Sequence, residues 1–182
     1  MSRVPEIDPA AFSPEQHKLY DAMMASRPDG KLQGPSTMWI RNAGLAAVTG
    51  QMAKLLRYEG KLEATLFEMI TLIIARQWTA HYVWSVHAKE ATHVGLAPEI
   101  IEAIRTRSIP PFSHERQKLI YEVTNELLDT KKVSDRTYLR AELEFGVDLV
   151  LEIITVVGFY TLICMTIKTF EVPAPSDATQ LD

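Results

Sequence analysis

Apolar residues recur along this chain at helical spacing, and almost nowhere at the period of two that marks a strand. Ser13-Pro14-Glu15-Gln16 supplies an N-cap serine, a proline at the first helical position and a glutamine able to complete a capping box. It predicts a helix to about Ser26, followed by breaker-rich loops at Arg27–Gly30 and Gly34–Ser36. Leu45, Val48, Met52, Leu55 and Leu56 form an apolar stripe over Ala43–Tyr58, and Gly60 punctuates it. The next helix, about Leu62 to Gln77, is apolar on nearly every face, which places it in the middle of a fold. Trp78-Thr79 breaks the pattern, with Thr79 the expected N-cap of a helix over Ala80–Thr92 that stops near Gly95. A short helix over Ala97–Ile104 begins with Pro98, and Ile109–Phe112 is a stiff connector. Ser113 is the expected cap of a helix to about Asp129, and Ser134 of one to about Phe145. A long helix from about Asp148 to Phe170 follows, and residues 176–182 read as a frayed tail.

The β-branched runs Ile73-Ile74 and Ile153–Val157 lie inside longer helical frames and do not read as strands. The expectation is an all-α fold, a single-domain helical bundle of about eight helices over 1–182, with its core at about 35–175 and an N-terminal helical extension over about 1–34. Phe67–Thr71 and Leu151–Thr155 echo one another, each with a Glu followed three residues later by a Thr on the same helix face. An internal pseudo-duplication and a chance match are equally good readings of that echo.

Composition narrows the function. A chain of 182 residues that is 47% hydrophobic and 23% charged can fill a core, and its net charge of −4 argues against a duplex nucleic-acid binder. Cys164 is the sole cysteine, so an internal disulfide or a multi-cysteine metal centre is excluded, and its apolar helix makes it an inert core thiol. The N-terminal residues carry no apolar run behind Arg3, so a cytoplasmic protein is expected. Val147–Ile167 has the length of a membrane span but contains Asp148 and Glu152, so a buried helix or a subunit interface is expected and membrane insertion is not.

The chemistry-bearing segment is Glu68 to Gly95. Glu68 sits in a helix with few other polar residues, where a carboxylate must find a partner; Thr71 and Arg76 are local candidates for a structural role. Positions 80, 83, 84, 87 and 91 share one face, so His87 is the one polar group on a stripe of Ala80, Val83, Trp84 and Ala91. From the residues alone, Glu68 and His87 read as either satisfied core groups or catalytic ones. His81, His87 and His93 are spaced by six, which no single helix face accommodates, so no metal site is expected. His17 and His114 read as surface residues near helix starts.

At this segment the sequence resembles the carboxymuconolactone decarboxylase family, which includes the alkyl hydroperoxidase D proteins. The resemblance rests on a Glu and a His nineteen positions apart, Glu68 and His87, and on the words Trp84–Leu96 and Pro98–Ile104. It extends through Leu149–Glu152, Gly158–Thr161 and Phe170–Pro173, and covers about Pro35 to Pro175. The hydroperoxidase branch carries a Cys-x-x-Cys pair at positions that fall here on Ala80 and Val83, and many decarboxylase-like relatives carry a Glu where Val83 stands. Thiol peroxidase chemistry needs an attacking thiolate and a resolving partner, and this chain has neither.

The resemblance implies a lyase acting without cofactor or metal on a small carboxylated lactone or ring-derived catabolite. In that reading His87 is the acid/base, Glu68 orients it, and Trp84 with His81 or Tyr82 walls the pocket. Arg76 and Arg41 are the candidate cations for the substrate carboxylate. It also implies a homo-oligomer. The alternative is a non-catalytic oligomeric binding or scaffold protein; a hydroperoxide reductase ranks below both.

Overall fold

A computed structural model describes residues 2–25, 31–179, 181 and 182. The expected Arg27–Gly30 loop lies outside the described residues. Among them there are eight α-helices and no strand. They are α1 (Pro14–Ala25), α2 (Ser36–Trp39), α3 (Ala43–Lys54), α4 (Ala64–Gln77), α5 (His81–His93), α6 (Pro98–Arg105), α7 (Glu115–Thr130) and α8 (Asp135–Phe170). A π-helical turn, Leu55–Glu59, finishes α3.

The bundle is built around α4. Every residue from Leu66 to Arg76 is buried, and α5, α6, α7 and α8 all pack on it. An all-round apolar helix has no solvent face to lose, so it takes the central position and the amphipathic helices cover it. Ile70, Leu72 and Ile74 are fully enclosed, as are Ile120 of α7 and Ile153 and Val156 of α8.

Local signals set several boundaries. Ser13 and Gln16 form the reciprocal capping box, with Gln16 N–H donating to Ser13 Oγ at 3.2 Å and Ser13 N–H to Gln16 Oε1 at 2.9 Å. Ser134 caps α8 by accepting from Thr137 N–H. The expected separation into helices ending near Phe145 and starting near Asp148 appears as a break inside α8 at Gly146, with φ 73° and ψ 160°. Only glycine adopts that conformation freely.

Packing decides where the stripe on α3 points, and it overturns three expectations. The stripe on Ala43–Tyr58 does not face the core: Leu45, Val48 and Leu55 are more than half exposed, and only Leu56 is buried. Periodicity identified a face, while packing turned the small side of α3, with Ala46 and Thr49, inward. Thr79 is not a cap; it takes a left-handed φ of 47°, and the capping position is Ala80 without a side-chain bond. Ser113 is one residue too early, because His114 holds the N-cap position of α7 and Ser113 bonds Gln117 instead. The tail is docked: Leu181 is buried, its N–H donates to His81 Nδ1 at 3.2 Å, and Lys89 pairs with Asp177.

The Glu68/Glu152 echo resolves into two different jobs. Thr71 and Thr155 each donate to the carbonyl four residues back, at 3.0 and 2.8 Å, so the helical word repeats locally. Glu152, however, accepts from the N–H groups of Lys61 and Leu62 at 3.0 and 2.9 Å and clamps the turn before α4. That role is structural.

Replacing Gly146 by Ala forces a Cβ into a conformation reserved for glycine. The expected cost is about 1–3 kcal/mol, read as a lower urea midpoint with an unchanged m-value.

Candidate functional site

Glu68 lies one turn into α4 and His87 midway along α5, and the two helices pack tightly against each other. The Trp78–Ala80 turn between them brings the pair face to face. His87 Nδ1 and Glu68 Oε2 are 2.7 Å apart, with the side chains only 7% and 6% exposed. When the carboxylate is the acceptor of this bond, His87 donates through Nδ1 and Nε2 is the ring nitrogen left outside the contact.

Aromatic rings enclose this pair. Tyr160 of α8 stands edge-on to the His87 ring at 5.0 Å between centroids, and Phe67 and Phe159 flank Tyr160 at 5.5 and 5.9 Å. Burial pushes the Tyr160 phenol far above its ordinary range, against the opposing pull of Arg57, so it stays neutral. A low-dielectric wall of this kind strengthens the Glu68–His87 interaction relative to water.

Arg57, on the π-helical turn, is the cation of this neighbourhood. It is half-buried and stacks over Tyr58 at 5.7 Å, with no ion pair or hydrogen bond of its own among the described residues. Burial acts to lower its pKa, but the combined influence of Tyr160, Tyr58, Glu68 and Glu90 outweighs it and holds Arg57 above the ordinary arginine range. Neither Arg57 nor Tyr160 was assigned a role from the sequence. A single Arg at the end of an exposed stripe carries no local signal, and Tyr160 becomes visible only when α8 is laid beside α5. A π-helical turn, which is often found at functional sites, is the structural clue.

The remaining site candidates are placed as follows. Trp84 is buried on α5 one turn before His87 and belongs to the core. Tyr82 is half-buried with its ring against Gly34, where a Cβ would fall 2.4 Å from the ring. His81 holds the Leu181 N–H. Arg76 is eight residues beyond Glu68, about 12 Å along the helix, and binds the Arg105 and Asp182 carbonyls at 2.6 and 2.7 Å. Arg41 donates to the Pro5 carbonyl. The structure thus brings Glu68 and His87 together and leaves His81, Arg76 and Arg41 occupied elsewhere. Among the described residues no group of three or more His, Cys, Asp or Glu side chains is placed to hold a metal ion.

Clefts of about 310 and 400 Å³ open on the described surface, and Glu68 and His87 line neither of these. With its side chains only 6% and 7% exposed the pair lies behind its neighbours, whereas Arg57 is partly exposed.

Two solved structures share this fold. A protein of unknown function from Agrobacterium tumefaciens, described as a candidate antioxidant defence protein AhpD, matches with a TM-score of 0.65 at 15% identity, covering 72% of this chain and 90% of its own. An uncharacterized peroxidase-related protein from Silicibacter sp. TM1040 matches with a TM-score of 0.76 at 14% identity, covering 99% and 94%. No family model and no curated protein sequence matches the chain. The chain has the alkyl hydroperoxidase D-like fold; at these identities the likeness concerns the fold and leaves the chemistry to the residues present.

The sole thiol is not among those residues. Burial pushes Cys164 up to about 12, with Lys168 only partly opposing it. A thiol raised in the folded state confers stability that is intact below the unfolded value of 9.0 and is lost as pH climbs toward about 12. Native protein at pH 8 is expected to resist labelling by a thiol-specific dye that reacts at once after unfolding, and its urea midpoint is expected to fall above pH 9.

Proposed function

We propose that Glu68 and His87 form the acid/base centre of a small enzyme acting on a carboxylated substrate, in the manner of a carboxymuconolactone decarboxylase-like lyase. The observation that carries this reading is the 2.7 Å contact between His87 Nδ1 and Glu68 Oε2 inside an apolar shell. Decarboxylation breaks the bond to the carboxylate carbon, releases carbon dioxide and leaves an electron pair on a conjugated carbonyl system. His87 Nε2–H then gives its proton to the carbanionic carbon and is reprotonated from solvent. Glu68 fixes the tautomer and supports the cationic form, as an orienting carboxylate does. The dry surroundings favour dispersal of the substrate's charge. Arg57, the unpaired cation nearest the centre, receives the substrate carboxylate, and movement of its side chain admits the substrate past the π-helical turn. The reaction needs no metal, and the protein works in the cytoplasm, binding neither membrane nor nucleic acid.

A second reading, a non-catalytic oligomeric binding protein, is favoured by the burial of the pair, whose Glu68 and His87 side chains are only 6% and 7% exposed. Detection of product by mass spectrometry separates the two. The peroxidase-related designation of one neighbour does not transfer, because Ala80 and Val83 stand where a thiol pair would be and Cys164 is buried.

In an assay against unsaturated lactone acids, His87→Ala is expected to lower kcat by about 10²–10⁴-fold. Glu68→Gln should lower it less, and Arg57→Gln should act mainly on KM. Undiminished turnover in both His87→Ala and Glu68→Gln rejects the assignment.

A homo-oligomer is the companion proposal. Leu45, Val48 and Leu55 of α3 and Leu139, Leu143, Val147 and Leu151 of α8 are all more than half exposed. Apolar area of this kind is what subunit interfaces cover. Light scattering after gel filtration should give a multiple of 20.5 kDa, and a mass of one chain would overturn it.

A further inference from the structure

The second unusual cation of this molecule is Arg76, at the opposite end of α4 from the acid/base pair. Its residue is 7% exposed. Nε donates to the Arg105 carbonyl at 2.6 Å and Nη2 to the Asp182 carbonyl at 2.7 Å. Nη1 is sealed from solvent and has no acceptor. An orphaned donor on a buried cation is costly, and in native structures such a group is met by water, an ion or a ligand. The surrounding charge sharpens the point. Burial, then the repulsion of Arg107, lowers the Arg76 pKa; Arg105 adds to this and Asp182 opposes it. Arg105 is itself paired with Glu102.

Arg76 borders the cleft of about 310 Å³, between the end of α4, the turn after α6 and α7. Arg107, with a left-handed φ of 58°, lines the same space. Its guanidinium is held only by long contacts, 3.3 Å to the Arg76 carbonyl and 3.5 Å to Gln77 Oε1. Neither arginine has a side-chain carboxylate partner among the described residues. The one acid lining the cleft, Asp129, already accepts from Gln77 Nε2 at 2.9 Å. Ser108 and Asn125 add neutral polar groups to the wall.

We propose that this cleft is a second ligand site, one that binds the oxyanion of a small molecule, a phosphate or a carboxylate, between Arg76 and Arg107. The loosely held Arg107 swings to admit the anion, which supplies the acceptor that Arg76 Nη1 lacks. Arg107 offers a guanidinium fork and Arg76 its one unused nitrogen, Nη1, which together match the flat or tetrahedral oxygens of such a group. Asp129 disfavours a second negative charge at the far end, so the rest of the ligand is neutral or a hydrogen-bond donor. The site is independent of the reaction proposed for Glu68 and His87.

The test is a titration of the full-length ¹⁵N-labelled protein with sodium phosphate and, separately, sodium benzoate, each against sodium chloride at equal ionic strength. The side-chain amide signals of Gln77 and Asn125 should shift saturably with at least one anion, while the His87 ring signals stay in place. Arg107→Ala should weaken the binding about tenfold or more, and Arg107→Lys should fall between the two. A response to phosphate alone assigns a phosphate group; a response to benzoate, alone or with phosphate, assigns a carboxylate. No saturable shift beyond chloride with either anion overturns the proposal, and so does an Arg107→Ala protein that titrates like the wild type.

Discussion

The centre of the helical core is organised by one buried contact, the Glu68 carboxylate against the His87 imidazole. Each group alone would be an expensive tenant of a helical core. Together they satisfy each other, and the geometry leaves a single nitrogen, Nε2, for chemistry. The contact also explains why α4 can be apolar on all sides and still carry a glutamate. The helix needs one neighbour with one complementary group, and α5 presents it nineteen residues later through a short turn. Around this link the aromatic rings of Phe67, Phe159 and Tyr160 provide the low-dielectric shell that makes the contact strong.

The central helix was legible from its composition, because an unbroken apolar run specifies a central position whatever surrounds it. A lone carboxylate within that run demands a partner, but the residues alone pointed to Thr71 or Arg76, and only the family resemblance pointed to His87. The break at Gly146 and the Ser13 and Ser134 caps were legible too, since each is written in three or four adjacent residues. What escaped was set by distant contacts. The stripe on α3 announced a face, but a monomer sequence does not say whether a core or a neighbouring subunit receives it. Arg57 and Tyr160 join the site through the folding of α3 and α8 around α5, and no local spacing encodes that. Arg76 and His81 were drawn away by the docked tail, whose one buried apolar anchor, Leu181, is too small a signal to read beforehand.

The two glutamates of the repeated helical word make the point most sharply. Glu68 and Glu152 share their local frame, down to the threonine three residues on that bonds back to its own helix. One faces an imidazole and the other faces two main-chain N–H groups. A carboxylate that accepts from two backbone amides is fixed in place and serves as a clamp. A carboxylate against an imidazole faces a side chain that can both donate and accept a proton, so it stands where proton movement can be assisted. The division of labour therefore comes from the partner, and Glu152 serves the site only indirectly, by fixing the turn between Arg57 and α4.

That indirect service ties the fold to the proposed chemistry. The π-helical turn is a local departure from the regular helix, and such a departure persists only where its surroundings hold it. Here the downstream end is pinned by Glu152, while Leu56 anchors the turn in the core and leaves Arg57 turned toward the acid/base cluster. The cation and the acid/base pair thus stand on elements that meet through α8. One long helix supplies the clamp and the aromatic wall, and on its uncovered side it carries exposed apolar residues. The buried part of its apolar character is accordingly explained by packing against α4 and α7, while Leu139, Leu143, Val147 and Leu151 remain outside that packing.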